Sequence, residues 1–353
     1  MKQETYFRLF WWRIFFALFF LFGLTLAHAS EQKKEAIYLD GQNYVPLADW
    51  ARANDLEWSW FEDDKSVEVT NLTTRLVLKV NSAEMEINGI LVRLSFPLAV
   101  EKEVPLIAQL DLDTAIYPLL FPSHFAETKP VKTICLDPGH GGKDSGNRVG
   151  WHYEKNYTLP LAFEVRDQLQ KAGFNVMMTR TKDKYVPLPD RPAMANKAGA
   201  DLFVSLHFNA TPTERDEAEG PETYCITPVG ANSSNEQFVG SELGSTIGTG
   251  PTIANGNEQE SLLLAYQVQK SLVQNLAAND RGVKRARFAV LRDAAMPAIL
   301  IEGGFMTNPV ESKKIYDPAY RRRMAEAIVK GILAYQRLIA PPDMVNGLAS
   351  SVH

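Results

Sequence analysis

Two kinds of hydrophobic patterning divide the chain. As far as about residue 122, apolar and polar residues alternate over short runs, as at Leu76, Leu78 and Val80. Strict alternation places apolar side chains on one face of a strand, so this pattern predicts half-buried β-sheet. From Lys132 to about Leu338, short apolar runs instead alternate with longer stretches of helical periodicity. That arrangement is typical of α/β proteins, in which helices cover a central sheet.

The first of these regions, residues 37–122, is predicted to be a small α+β domain. Asp40-Gly41 and Asn88-Gly89 are typical of two-residue hairpin turns. Polar linkers are predicted on both sides of the domain, at 30–36 and 123–131. The domain contains no histidine and no cluster of metal-binding residues, so the rest of the chain is expected to carry out the chemistry without it.

The second region, residues 132–339, is predicted to be the catalytic domain. Candidate strands are Thr133–Leu136, Asn175–Thr179, Leu202–Leu206, Thr223–Thr227 and Ala298–Ile301. Apolar residues spaced four apart predict helices that include Leu161, Leu264 and Met324. The fold class predicted for the chain is α/β, with a central, mostly parallel sheet flanked by helices and preceded by the small α+β domain.

Residues 228–260 interrupt this pattern. They are rich in Gly, Ser, Asn and Thr and show no clear periodicity, which predicts a long loop or insertion within the catalytic domain. Loops of this length are uncommon inside compact domains and are often functional or disordered. Residues 340–353 are expected to form a frayed tail.

The first 29 residues have the character of an export signal. Lys2, Arg8 and Arg13 accompany an apolar run, Ile14–Leu26, which is too short to span a bilayer comfortably. Ala27-His28-Ala29 then matches the small-residue pattern at which signal peptides are cleaved. We predict a signal peptide that is removed and a protein exported to the periplasm or cell envelope, with an uncleaved membrane anchor as the alternative.

Composition excludes several classes of protein. With 45% apolar and 22% charged residues, the 353-residue chain has ordinary globular composition. A formal net charge of −5 gives no reason to expect nucleic acid as a partner. Two cysteines, Cys135 and Cys225, are too few for a disulfide scaffold or a Cys₄ zinc site. Export would permit the two to pair, but the sequence leaves that question open.

Polar residues follow three of the predicted strands. His140 comes shortly after the first strand, within the glycine-rich segment Asp137–Gly142. His207 ends the strand that begins at Leu202, and Glu302 ends the last strand. In open α/β sheets, ligand and catalytic groups gather beyond the carboxyl ends of the strands. We therefore expect these three side chains to meet at one edge of the sheet.

Two imidazoles and one carboxylate are a ligand set of catalytic zinc, which keeps one coordination position open for water. His140 and His207 fit the imidazole positions. Glu154 fits the third position from the loop after the first strand, although His152 lies two residues away and is a rival. Glu302 follows a long apolar run, where an unpaired carboxylate is costly unless it has a function. It suits the role of general base toward the attacking water.

These residues lie in long segments that resemble the zinc-dependent N-acetylmuramoyl-L-alanine amidases of the AmiC type, the amidase_3 family. The resemblance covers residues 132–338 and includes ICLDPGHGGKDSG, YEKN, DRPAMANKAGADLFVSLHFNA and DRGVKRARFAVLRDAAMPAILIEGGFMTNP. It implies a peptidoglycan hydrolase that cleaves the amide between N-acetylmuramic acid and L-alanine with zinc-activated water. There are two alternatives: another zinc peptidase that acts on the stem peptides of peptidoglycan, and an inactive peptidoglycan-binding module.

The resemblance also implies roles for individual residues. The metal ligands of Zn²⁺ would be His140, Glu154 and His207, which places Glu154 ahead of His152. The catalytic glutamate would be Glu302. The amino-terminal region resembles, more loosely, the small domain at the start of some copper amine oxidases, but it carries no copper ligands and no copper chemistry is implied.

Further expectations concern substrate and regulation. Asn209 is a candidate substrate contact, whereas Arg191 is expected to have a structural role. A monomer that acts on peptidoglycan is expected. Related amidases with insertions in the region 228–260 are inhibited by that segment until a partner withdraws it, so Glu258 or Glu260 could displace the zinc-bound water until an activator protein binds. A passive surface loop is the alternative.

Overall fold

The computed structural model describes residues 37–39, 41–62, 65–122, 130–213, 217–231, 233 and 254–340. The predicted signal peptide, the linker 30–36, Asp40, most of the linker 123–131, the middle of the insertion and the tail from residue 341 lie outside this part. Contacts group the described residues from Tyr38 onward into one compact unit. Among the described residues, no helix combines the length and the apolar character needed to cross a membrane.

The amino-terminal region is built mainly from short strands. They are β1 (Ile37–Leu39), β2 (Gln42–Pro46), β3 (Glu57–Phe61), β4 (Ser66–Thr70), β5 (Arg75–Lys79), β6 (Glu84–Ile87), β7 (Ile90–Arg93), β8 (Ala99–Glu101) and β9 (Val104–Ala108). The helical elements are α1 (Leu47–Ala53) and a continuous segment made of α2 (Gln109–Asp111), a π-helical turn (Leu112–Ile116) and α3 (Tyr117–Leu120). This is the α+β content that the sequence predicts.

The hairpin between β6 and β7 is an example of how local sequence determines the turns and strands of this region. Asn88 and Gly89 have φ angles of 49° and 78°, which asparagine and glycine adopt more readily than other residues. On the neighbouring β5, Leu76 and Leu78 are fully buried, because alternate residues of a strand face the same side. The predicted hairpin and the predicted alternation are both confirmed here.

The rest of the chain contains longer helices and the remaining strands. The strands are β10 (Thr133–Pro138), β11 (Arg148–Val149), β12 (His152–Tyr153), β13 (Asn175–Met178), β14 (Leu202–Asn209), β15 (Glu222–Cys225), β16 (Val283–Arg285) and β17 (Ala298–Phe305). The helices are α4 (Lys155–Lys171), α5 (Asp190–Ala198), α6 (Glu258–Leu276), α7 (Ala289–Arg292), α8 (Pro309–Tyr316) and α9 (Pro318–Ile339). All five predicted strands and all three predicted helices are present, whereas the sequence analysis predicts neither the strands β11, β12 and β16 nor the helices α5, α7 and α8.

The end of the predicted insertion is helical and not loop. Helix α6 begins at Glu258, so Glu258–Glu260 form its first turn. Their polar character obscures the apolar periodicity that starts one turn later. Acidic residues are nevertheless favourable at this position, because the amino terminus of a helix carries partial positive charge.

The principal sheet is mixed, and the expectation of a mostly parallel sheet is wrong. Its eleven strands have the order β13-β10-β14-β17-β15-β16-β7-β6-β5-β4-β3. The strands β13, β10, β14 and β17 are parallel, as βαβ connections require. Strand β15 then runs antiparallel to β17, and the hairpins of β3 to β7 add further antiparallel pairs. A second, four-stranded sheet has the order β1-β2-β9-β8.

The two regions of the chain are joined within one sheet and one core. Val283 of β16 pairs with Val92 of β7, so the principal sheet continues from one region into the other. The Tyr266 hydroxyl on α6 donates a hydrogen bond of 3.0 Å to the carbonyl oxygen of Ile87. Asp280 accepts a hydrogen bond of 2.7 Å from the backbone N–H of Leu91. The domain boundary predicted at 123–131 stays a prediction, but these contacts tie the described parts of both regions together.

The two cysteines do not pair in this structure. Cys135 on β10 and Cys225 on β15 are both buried and free. Strands β14 and β17 lie between them, which separates them by roughly 14 Å at ~4.8 Å per strand. A disulfide requires Cα atoms within about 7 Å of each other.

We expect Ile87→Ala to destabilise the whole compact unit, because Ile87 is 2% exposed in the core shared by both regions. Removing a buried Ile side chain to Ala costs about 2–5 kcal/mol. Denaturant unfolding followed by circular dichroism should show one transition, shifted as a whole. Val77→Ala, at a half-buried position on the neighbouring β5, is the matched control and should shift it less. Two separate transitions, of which Ile87→Ala moves only one, would contradict a shared core.

Candidate metal centre

Three predicted ligands meet at the carboxyl ends of β10 and β14. One potential ligand atom from each of His140, Glu154 and His207 lies within 4.8 Å of the other two. The Oε2 atom of Glu154 is 3.0 Å from Nε2 of His140, and its Oε1 atom is 3.0 Å from Nδ1 of His207. The two imidazole rings meet edge to face, with centroids 4.9 Å apart.

The rival ligand His152 lies outside this cluster. It is exposed on β12, and its ring stacks on Tyr316 with the centroids 3.9 Å apart. Its Nδ1 atom pairs with the hydroxyl of Tyr157. The geometry therefore groups Glu154, and not His152, with the two site histidines.

Two glycines allow the three side chains to approach one another. A Cβ atom on Gly139 would lie 2.3 Å from Cε1 of His207, and one on Gly146 would lie 2.5 Å from Cδ2 of His140. Both distances are far below van der Waals contact, so neither position accepts a side chain without movement of the site. Gly146 also has a φ of 63°, which glycine adopts without steric cost. Gly139 lies in the glycine-rich segment noted in the sequence, whereas Gly146 lies outside it.

The carboxylate of Glu154 is held at both oxygens by backbone donors. The N–H of Asn147 donates to Oε2 at 2.9 Å, and the N–H of Phe208 donates to Oε1 at 3.0 Å. Burial by itself would raise the pKa of Glu154, but the charge of His140 and hydrogen bonds with both histidines outweigh it and hold the pKa well below its usual range. Glu154 is therefore an ionised and immobilised carboxylate.

The pKa values of the two histidines shift in opposite directions, although Glu154 favours the charged form of both. Burial would lower the pKa of His140, but the charge of Glu154 and hydrogen bonding with Asp144 raise it to about 10. Asp144 also fixes the orientation of the ring, since its Oδ2 atom lies 2.8 Å from Nδ1 of His140. For His207, burial dominates and lowers the pKa. The ionised carboxylate of Glu154 therefore favours positive charge in this cluster. The lowered pKa keeps the imidazole of His207 neutral, which is the form that binds metals.

Glu302 lies beside the cluster on the neighbouring strand. It pairs in register with His207 across the β14–β17 ladder. It is 4% exposed, and its Oε2 atom is buried without a hydrogen-bond partner. Burial, together with the charges of Glu154 and Glu222, raises the pKa of Glu302 well above its usual value. A buried carboxylate with a raised pKa and a free oxygen is suited to proton transfer.

A buried ion pair supports the loop that carries His140. Asp137 accepts hydrogen bonds from Arg191 at 2.8 Å, from Thr179 at 2.6 Å and from Ser205 at 2.8 Å. Arg191 also donates to the backbone carbonyl of His140 at 2.9 Å. Arg191 is 1% exposed, so its contacts agree with the structural role expected for it.

Sequence reasoning missed other parts of this support. Arg180 donates to the carbonyls of Pro138 and Gly139 at 2.9 Å and 2.8 Å. Asp137 belongs to this support, and its sequence signal is a charged residue at the end of an apolar run, which indicates a buried partner. Arg180 gives no comparable signal, because the chain bends back to this loop only in the tertiary structure.

The remaining predicted residues lie beyond the ligand cluster. Asn209 is 6% exposed, and its amide donates to Glu222 Oε1 at 2.9 Å; its role in substrate binding stays a prediction. Glu258 accepts a hydrogen bond from the N–H of Gly256 at 3.0 Å. In the same turn of α6, the Ser261 hydroxyl accepts a hydrogen bond from the N–H of Ala298.

That contact places the start of α6 beside the start of β17. Ala298 begins the strand and Glu302 follows four residues later, about 13 Å away at ~3.3 Å per residue. Glu258 and Glu260 therefore lie near the start of β17, whereas Glu302 lies farther along the strand. Their regulatory role stays a prediction.

The donor set fits a catalytic metal. Two imidazoles and one carboxylate are ligands of zinc in hydrolases, and Glu154 supplies negative charge that a cation would balance. The free oxygen of Glu302 is a further polar atom without a partner in the described structure. Within the part of the chain that the structure describes, His140, Glu154 and His207 form a cluster of side chains that could hold a metal ion.

Comparisons with known proteins identify the family of this chain. Residues 134–334 match the Amidase_3 family, described as N-acetylmuramoyl-L-alanine amidase. The N-acetylmuramoyl-L-alanine amidase AmiC of Neisseria meningitidis is 34% identical over 223 residues, which cover 59% of this chain and 53% of that protein. The uncharacterized protein YqiI of Bacillus subtilis is 33% identical over 210 residues, which cover 60% of this chain and 87% of that protein.

Among solved structures, the N-acetylmuramoyl-L-alanine amidase from Clostridium difficile 630 has 35% sequence identity and a TM-score of 0.47, covering 59% of this chain and 97% of that one. The match to the meningococcal relative spans about half of that protein's length. The family match covers more than half of this chain and contains all four site residues. The chain belongs to the Amidase_3 family of N-acetylmuramoyl-L-alanine amidases.

Proposed function

We propose that this protein hydrolyses peptidoglycan at the amide bond between the lactyl group of N-acetylmuramic acid and L-alanine. Membership of the Amidase_3 family supports this reaction. The observation that carries the proposal is the convergence of His140, Glu154 and His207 next to a buried glutamate, Glu302. A ligand set beside a proton acceptor is the arrangement that metal-assisted hydrolysis of an amide needs.

We propose Zn²⁺ as the metal, with His140, Glu154 and His207 as its ligands. When bound there, zinc would polarise the scissile carbonyl and acidify a water molecule. Glu154 would bring one negative charge, and its backbone hydrogen bonds would hold it in place. Asp144 would hold the His140 ring in a fixed orientation through its Nδ1 atom, as outer partners of metal ligands do.

Glu302 would move the proton in this reaction. It would take a proton from the attacking water as the water oxygen bonds to the carbonyl carbon. It would then deliver that proton to the alanine nitrogen as the carbon–nitrogen bond breaks, which leaves a lactyl carboxylate and a free amine. The raised pKa of Glu302 supports this double role, because a group that accepts and returns a proton works best with a pKa near the ambient pH.

Two alternative functions would give different products. A zinc peptidase acting within the stem peptides would release peptide fragments and leave L-alanine attached to the sugar. An inactive peptidoglycan-binding module would release nothing, but the complete ligand set argues against it. Mass spectrometry of purified peptidoglycan sacculi, digested with and without a chelator, distinguishes the three. Free stem peptides beginning with L-alanine, formed only without chelator, are the expected result.

Several expectations about the setting of the reaction accompany this proposal. The signal peptide at 1–29 would export the protein to the periplasm or cell envelope, where peptidoglycan is accessible. The amino-terminal region would resemble the small domain at the start of some copper amine oxidases, but it would carry out no copper chemistry. An activator protein acting on the insertion 228–260, and a monomeric state, remain proposals of the same kind.

We expect Glu302→Gln to retain the metal and to lose activity. Glutamine is nearly isosteric with glutamate but cannot accept the proton of the attacking water. Loss of a general base should lower kcat about 10²–10⁴-fold. Metal content by mass spectrometry and turnover of a soluble muropeptide provide the measurements, with the exposed Glu326→Gln as control. Parental turnover by metal-loaded Glu302→Gln would remove Glu302 from the mechanism.

We expect His207→Ala to weaken zinc binding by ~100-fold or more, since changes even to residues behind a metal ligand cost 10–100-fold. His152→Ala is the matched control, because this rival histidine is exposed and outside the cluster. It should retain parental affinity in a competition titration with a zinc chelator. Equal losses in the two variants, or a loss confined to His152→Ala, would refute the ligand assignment.

We expect Glu258→Ala and Glu260→Ala to hydrolyse peptidoglycan at the parental rate. Both residues lie near the start of β17, whereas Glu302 lies farther along the strand, and Glu258 is engaged with Gly256. Replacing Val229–Asn257 with a short Gly-Ser linker tests the rest of the insertion. A faster rate in any of these variants, with zinc still bound, would support autoinhibition instead of a passive loop.

A further inference from the structure

A second cluster of charged side chains adjoins Glu302 and has no part in the reaction described above. We call Glu222, Arg281 and Lys284 the cationic cluster. Glu222 pairs in register with Glu302 across the antiparallel β15–β17 ladder. Its Oε2 atom accepts hydrogen bonds from Nε of Arg281 at 3.0 Å and from Nζ of Lys284 at 2.5 Å. The cluster therefore begins one strand away from the catalytic glutamate.

Glu222 anchors this cluster and is not available for reaction. It is 2% exposed, and its second oxygen accepts hydrogen bonds from Tyr224 at 2.6 Å and Asn209 at 2.9 Å. Burial would raise the pKa of Glu222, but Lys284, Tyr224 and Arg281 outweigh it and hold the pKa below its usual value. With four donors on its two oxygens, this carboxylate is a fixed counter-ion.

Positive charge exceeds negative charge in the cluster. Arg281 and Lys284 face one carboxylate, and within the described parts of the chain no second carboxylate lies at ion-pair distance from either. The side chain of Arg281 is 35% exposed and that of Lys284 is 16% exposed. Aromatic rings also hold both side chains in place. The guanidinium of Arg281 lies over the ring of Phe305, and the ammonium of Lys284 lies over the ring of Tyr224. A preorganised, partly dehydrated positive charge is well suited to bind an anion.

The strand order indicates which part of the substrate passes this charge. Across the sheet, His207 on β14, Glu302 on β17, Glu222 on β15 and Lys284 on β16 follow one another. In the reaction proposed above, the leaving nitrogen must lie within reach of Glu302, which would protonate it. With the carbonyl and the sugar on the side of His207, the leaving peptide would extend toward the cationic cluster.

We propose that Arg281 and Lys284, anchored by Glu222, form a subsite for a carboxylate of the leaving stem peptide. This subsite would select substrates with a free carboxylate on the residue that follows L-alanine. The proposal rests on the amidase function proposed above and adds a specificity to it. Guanidinium and ammonium groups would each donate charge-assisted hydrogen bonds to that carboxylate, and a carboxamide at the same place could not replace them.

Two substrates that differ in one group test this subsite. Both are N-acetylmuramoyl-L-alanyl-γ-D-glutamyl peptides, one with the glutamyl α-carboxylate free and the other with it amidated. We expect the zinc-loaded protein to prefer the carboxylate by about tenfold or more in kcat/KM, since hydrogen bonds between charged groups are the strong ones. Most of the difference should lie in KM, as for an interaction made in both ground and transition states.

Substitutions then locate the source of the preference. Lys284→Met and Arg281→Gln should reduce the ratio of the two kcat/KM values toward one, whereas Lys284→Arg should preserve it. Lys313→Met, at an exposed position on α8, is the matched control and should leave the ratio unchanged. Metal content and circular dichroism identify any variant that has failed to fold, and the conservative Lys284→Arg keeps the test informative in that case.

Measurements of equilibrium binding test this subsite independently of catalysis. Zinc-loaded Glu302→Gln protein, titrated calorimetrically with the same two compounds, should bind the carboxylate form about tenfold more tightly, and adding Arg281→Gln should remove the difference. No preference in the parent, or a preference that survives both Lys284→Met and Arg281→Gln, overturns the subsite. Failure to cleave either compound would count against the amidase function, while the binding titration would still decide the subsite.

Discussion

The buried carboxylate of Glu154 is the interaction on which the site depends. A fully buried charge is tolerated only when partners compensate it, and here these come from three segments of the chain. Backbone N–H groups of Asn147 and Phe208 hold its two oxygens, and His140 and His207 face the same atoms. Removing any one partner would weaken the compensation of this buried charge. The loop after β10, the start of α4 and the end of β14 are therefore held in one arrangement.

The strand direction changes at β17, and this change determines which side chains lie around Glu154 and Glu302. Parallel strands on one side of β17 bring His140 and His207 to a single edge, because their carboxyl ends coincide. The antiparallel β15 enters from the same edge, so that its first residue, Glu222, lies opposite Glu302. A wholly parallel sheet would place a different part of β15 there. Glu302 consequently lies between the candidate metal centre and the cationic cluster.

The amino-terminal region contributes to the same framework and is not a detached accessory. Its hairpins extend the principal sheet from β16 outward, and its buried side chains belong to the core that α6 covers. Contacts such as Tyr266 with Ile87 give this core polar as well as apolar connections. The expectation that the remainder of the chain could act without this region must be weighed against that packing, because truncation would expose apolar surface on α6 and β16.

The sequence by itself determined most of the elements and the residue types of the candidate metal centre. Alternation at Leu76 and Leu78, spacing of four around Leu264, and polar residues that end apolar runs at His207 and Glu302 are local signals, and local physics decides them. Tertiary structure alone decided the direction of β15, the pairing of β16 with β7 and the separation of the two cysteines. It also decided that Glu222, Arg281 and Lys284 meet beside Glu302. These depend on contacts between residues remote in sequence, for which periodicity and spacing carry no information.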